Sequence, residues 1–88
     1  MLDRAENAVT DRVDGLVRRL LTKRAIDRSV GRDDDLTEAG LSSLDMVNLM
    51  LAVETEFDLK IPDREMTPTN FRSIARIEAL VHTLAEKV

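Results

Sequence analysis

Apolar residues recur at helical spacing in three separate segments, and nothing else in the chain constrains its fold as much. Val9, Val13, Leu16, Val17, Leu20 and Leu21 make one stripe within Leu2–Lys23. Met46, Leu49, Met50, Val53 and Phe57 make a second within Ser43–Phe57, and Ile74, Ile77, Val81 and Leu84 a third in the helix expected over Ser73–Glu86, a stripe that Val88 continues just beyond it. A helix with one apolar stripe must bury it against another element. Thr67-Pro68 offers an N-cap followed by a proline at the first helical position, so a short helix is predicted over Pro68–Phe71. The expected fold is all-α, a small four-helix bundle of three longer helices and one short third helix. Its 88 residues form a single domain, 1–88, with a small core. Phe57 and Phe71 are the only aromatics, so that core is built of Leu, Val, Ile and Met, and Phe57 is expected to close the buried face of the second helix.

The second helix carries more apolar residues than one buried face needs. Leu44, Val47 and Leu51 fall on a stripe rotated by more than a third of a turn from the first, and read as an exposed ridge rimmed by Asp45 and Glu54. The helix start is written as a capping box: the Ser42 hydroxyl accepts a backbone N–H while Asp45 reaches back to cap in return. Ser43 then occupies the first helical position, at the positive end of the helix dipole, where a phosphate ester on its hydroxyl is stabilised.

The connection from Ala25 to Leu41 exceeds the usual loop length, with Ile26, Val30, Leu36 and Leu41 as candidate anchors to the core. Its run Asp33-Asp34-Asp35 lacks the alternation and closing glutamate of a calcium loop, so no metal site is expected. Charge is distributed unevenly over a net −4. Residues 1–32 hold eight Lys/Arg against five Asp/Glu, whereas 33–63 hold one Lys against nine acids. The acidic middle repels nucleic acid and is expected to attract basic partner surfaces, and the scarcity of aromatics removes stacking platforms for single strands. Arg18, Arg19, Lys23 and Arg24 are read as compensation of the first helix dipole. There is no cysteine, and neither serine has a plausible base near the single histidine, His82, so no catalytic residues are expected. The N-terminus lacks an apolar run and no stretch reaches membrane-spanning length, which leads us to expect a cytoplasmic monomer without membrane contact.

The stretch Gly40-Leu-Ser-Ser43-Leu44-Asp45, followed by Glu54 to Phe57 and Ile61-Pro62-Asp63, resembles the acyl and peptidyl carrier proteins, whose signature is Gly-x-Asp-Ser-Leu at the start of the second helix. The resemblance covers roughly residues 33–81. It implies a 4′-phosphopantetheine arm, donated by coenzyme A through a phosphopantetheinyl transferase, on Ser43. It also implies an acyl or aminoacyl thioester on that arm, an acyl- or aminoacyl-loading ligase, downstream transfer enzymes, and partner contacts at Leu44, Asp45, Val47, Leu51, Glu54 and Met66. Ser42 departs from the family by standing where aspartate is usual, which leaves open an unmodified, degenerate carrier serving as a helical adaptor. Asn48 and Thr55 replace glutamates common in carriers of fatty acid biosynthesis, and MTPTNFRSI is similar to the matching segment of stand-alone aminoacyl carrier proteins. An amino acid loaded by a dedicated ligase, a fatty acyl chain and a polyketide all stay open as cargo.

Overall fold

The computed structural model describes residues 4–86. Three α-helices follow one another, α1 (Arg4–Lys23), α2 (Ser43–Phe57) and α3 (Ile74–Glu86), with a 3-10 turn over Asp63–Glu65 between the last two. All regular structure among the described residues is helical, as the three stripes imply. The start expected at Leu2 and the stripe residue Val88 lie outside the described residues.

The four-helix count is corrected. Pro68–Phe71 is a run of turns in which the Asn70 and Phe71 N–H groups donate to the carbonyls of Thr67 and Pro68, three residues back. Thr67 Oγ1 does accept from the Asn70 N–H at 3.3 Å, so the predicted N-cap forms. No α-helical turn grows from it: the bonds stay three residues apart through Arg72, whose carbonyl is taken by the Leu36 N–H of the long connection. The short helical element lies earlier, directly after Pro62, whose φ of −59° presets the first turn.

α1 packs against both α2 and α3. The core takes Val13, Leu16, Val17 and Leu21 from α1, and Met46, Leu49, Met50 and Val53 from α2. α3 supplies Ile74, Ile77, Val81 and Leu84, together with Leu80, which the predicted stripe omitted. The connections add Leu36, Leu41, Ile61 and Phe71. Phe57 does not close the core as expected. It is half-buried, with the Arg12 guanidinium 4.5 Å from its ring centroid, and the fully buried aromatic is Phe71.

The long connection is ordered by its own bonds. α1 ends in a Schellman closure, with Ile26 N–H on the Leu21 carbonyl and Ala25 N–H on that of Thr22, so Ala25 takes a left-handed φ of 59°. Leu36 and Leu41 are buried, and Ile26 and Val30 pack against the core at its edge. Leu36 N–H donates to the Arg72 carbonyl and Ala75 N–H to the Arg32 carbonyl, which tie the loop to the entry of α3. Arg32 with Glu78 and Arg72 with Asp35 bridge the same seam.

Candidate functional site

A single turn delivers the chain to α2. Asp35 Oδ1 caps it by accepting from the Thr37 N–H at 2.9 Å, and Leu41 N–H returns to the Leu36 carbonyl. Gly40 takes φ +120°, and a Cβ there would sit 3.2 Å from Ile26 Cδ1, so both conformation and space call for glycine. Two of the three loop aspartates are occupied inside this connection, Asp35 in the cap and Asp34 accepting the Gly31 N–H at 2.7 Å. Among the described residues no group of three or more His, Cys, Asp or Glu could hold a metal ion.

Ser42 and Asp45 close the capping box. Asp45 N–H donates to Ser42 Oγ at 3.1 Å, and Ser42 N–H to Asp45 Oδ2 at 2.9 Å. Met46 N–H takes the Ser42 carbonyl, which leaves the N–H groups of Ser43 and Leu44 without an acceptor among the described residues. The Ser43 hydroxyl is exposed and likewise free of any described partner.

Asp45 stands elsewhere than on the rim of the ridge. Its side chain is only 4% exposed and faces α1, where Arg24 places Nε at 2.6 Å and Nη2 at 2.5 Å from Oδ1. The Ser42 backbone N–H above all, then the Ser42 hydroxyl and Arg24, hold this carboxyl below the usual carboxylate range against the opposing effect of burial. Arg24 sits just beyond the last residue of α1, positioned by the Schellman closure, and ties that end to the start of α2. No local signal marks the pair, because its members are 21 residues apart.

Two more carboxylates are held low: Asp35, chiefly by Thr37, and Glu78, chiefly by Arg32. All three bind fewer protons folded than unfolded. Their stabilisation is therefore complete above the unfolded carboxylate values near ~4 and is lost as pH falls through the lower folded values. Thermal melts are expected to be flat between about pH 5 and 7 and to drop steeply below about pH 4. A melting temperature unchanged down to pH 2.5 contradicts these assignments.

Leu44, Val47 and Leu51 are 65%, 47% and 53% exposed and line up along the outer face of α2, beside Ser43. Glu54 turns toward the following loop, where Oε2 accepts the Ile61 N–H at 2.7 Å. Met66 is half-buried against the core edge. His82 is half-buried on α3, with Nε2 3.9 Å from Glu78.

An exposed hydroxyl at a capped helix start, with unpaired N–H groups beside it, suits a covalently attached group carrying a phosphate. The apolar face next to it suits docking by whatever handles that group. Comparison with known proteins agrees. The phosphopantetheine attachment site family matches residues 11–81, and the chain belongs to that family. Its prosthetic group is 4′-phosphopantetheine, attached covalently, and the chain is a carrier. The chain is 45% identical to aminoacyl carrier protein 1 of Bradyrhizobium diazoefficiens over 75 residues, 85% of this chain and 83% of that protein.

Two solved structures share the fold. One is the Bradyrhizobium japonicum glycine:[carrier protein] ligase complexed with its cognate carrier protein and an analogue of glycyl adenylate. The alignment has a TM-score of 0.78 and 39% identity, and covers 86% of this chain and 97% of that one. The other is the same ligase complexed with glycylated carrier protein, with a TM-score of 0.76 and 38% identity over 83% and 97% of the two chains. Among the described residues no helix is long and apolar enough to cross a membrane.

Proposed function

We propose that the chain is one carrier domain whose arm is esterified to Ser43 and carries an amino acid as a thioester, loaded by an ATP-dependent amino acid ligase of the kind found with its relatives. The observation that carries the choice of serine is the occupied hydroxyl of Ser42 beside the free one of Ser43. The arm supplies the thiol that forms the thioester. The protein's part is to expose the Ser43 oxygen to the transferase, to set unpaired N–H groups beside the resulting phosphate, and to hold the helix start still through Asp45 and Arg24. The chain itself performs no chemistry on the cargo. The aminoacyl reading is supported by the Bradyrhizobium relative and by the ligase complexes of structurally similar carriers.

Incubation with coenzyme A and a broad-specificity phosphopantetheinyl transferase tests the attachment, with intact-mass and fragment spectra as readout. The arm-bearing product is then offered amino acids, ATP and a glycine:[carrier protein] ligase. Absence of the arm from both serines favours the unmodified adaptor reading instead.

Leu44, Val47, Leu51 and Met66 form the surface on which these enzymes dock. Val47→Ala is expected to leave the melting temperature nearly unchanged, since the side chain is already half in water, while slowing aminoacyl loading severalfold. A loss of stability as large as that of a core truncation, or unchanged loading, contradicts the docking role.

A further inference from the structure

The helix that carries the apolar ridge does not line it with unengaged carboxylates. All three carboxylates of α2 are engaged within the molecule: Asp45 with Arg24 and the Ser42 N–H, Glu54 with the Ile61 N–H, and Glu56 with Arg12. On the α1 side the ridge runs into a groove of about 230 Å³ between α1 and α2. Leu16, Leu20, Leu49 and Ala52 line it, and Arg19 and Lys23 stand on its α1 wall. Asn48, which also lines the groove, lies four residues from both Leu44 and Ala52 on α2, so ridge and groove are one continuous surface. Arg19 and Lys23 are exposed and make no ion pair among the described residues, whereas the neighbouring Arg18 and Arg24 are paired with Asp14 and Asp45.

We infer that the α1–α2 groove seats a segment of the loading enzyme that presents an apolar side chain flanked by carboxylates, so that the partner surface is acidic on this side. This rests on the carrier reading above and reverses the sign expected from the sequence alone. The occupant follows from the chemistry of the groove: an apolar floor takes an apolar side chain, and two uncompensated cations beside it select acidic neighbours. An anionic bilayer or nucleic acid meets two cations on the wall of this groove, on a chain of net charge −4. The acidic loop Asp33–Glu38 of a second copy offers no match, because its apolar residue, Leu36, is fully buried.

The test uses arm-bearing chains, confirmed by mass, with the Bradyrhizobium japonicum glycine:[carrier protein] ligase as probe. Charge reversal in the double variant Arg19→Glu, Lys23→Glu is expected to raise the KM of aminoacylation at least about tenfold, with kcat moving little. Added salt is expected to slow loading of the wild type and not of the double variant. A helical melt like the wild type's separates this from misfolding, and the milder Arg19→Gln, Lys23→Gln pair is expected to fall between the two. Equal or faster loading of the charge-reversed chain overturns the inference, as does faster loading of the wild type at high salt. So does a charge-dependent dimer, or binding to phosphatidylglycerol vesicles, accompanied by unchanged loading. A wild type that takes the arm but is not loaded refutes the aminoacyl reading and this inference with it. One that takes no arm refutes the carrier reading itself.

Discussion

Ser43→Ala is expected to eliminate arm attachment completely while leaving the helical content and melting temperature close to those of the wild type. The effect is all-or-none because the hydroxyl oxygen becomes the ester oxygen of the phosphodiester, and no neighbouring group replaces it. Ser42 is one residue away, but its Oγ accepts the Asp45 N–H, and it sits in extended backbone at φ −83°, ψ 172°, outside the helix. Stability is spared because the Ser43 side chain is exposed and bonded to nothing described, and serine and alanine both suit a first helical position. The converse variant sharpens the test. Ser42→Ala should still accept the arm on position 43, while losing about 0.5–2 kcal/mol of stability with its cap. Intact-mass spectra of both variants, with fragmentation to locate the arm, decide the matter. An arm mapped to Ser42, or found on Ser43→Ala, overturns the assignment and the reading of the ridge that depends on its register.

Phe71→Ala is expected to be the most damaging truncation in the core, at roughly 3–5 kcal/mol. That is a large share of the stability of a domain this small. Phe71 is fully buried and has the largest fully buried side chain among the described residues. It also sits where the long connection is fastened, beside Arg72, whose carbonyl accepts the Leu36 N–H at 2.8 Å and whose guanidinium reaches Asp35 at 3.1 Å. A cavity there loosens both the core and the loop that delivers Gly40 and Ser43 to α2. The melting temperature is expected to fall by about 15 °C or more. Phe57→Ala serves as the internal comparison, because that ring keeps one face toward Arg12 and solvent and is expected to cost clearly less. Equal losses for the two variants, or a larger one for Phe57, would show that the buried and half-buried assignments are exchanged.

How far these conclusions were legible beforehand differs from element to element. The bounds of α2, its capping box and the exposure of Leu44, Val47 and Leu51 could all be read locally, because capping is decided within four residues and an amphipathic face by angular spacing. The loop anchors Leu36 and Leu41 were legible as isolated aliphatics in a polar stretch. The region after α2 was not. Pro62 and Pro68 are each followed by residues able to turn, and the choice between them depends on how the chain reaches α3 under the constraint of Leu36 and Arg32.

Residue types and helical periods, then, determined by themselves the all-helical class, the three stripes and the serine pair at a capped helix start. Tertiary structure alone decided which charges remain free. Asp45 and Glu54 read as an acidic rim in one dimension, yet they find donors 21 and 7 residues away, as Glu56 finds one 44 residues away. Arg19 and Lys23 read as dipole compensation, yet they border the groove that continues the apolar ridge. The physical reason is range. Hydrogen-bonded caps and hydrophobic periodicity act between near neighbours along the chain, whereas ion pairing depends only on distance in space, which is known once α1 lies against α2.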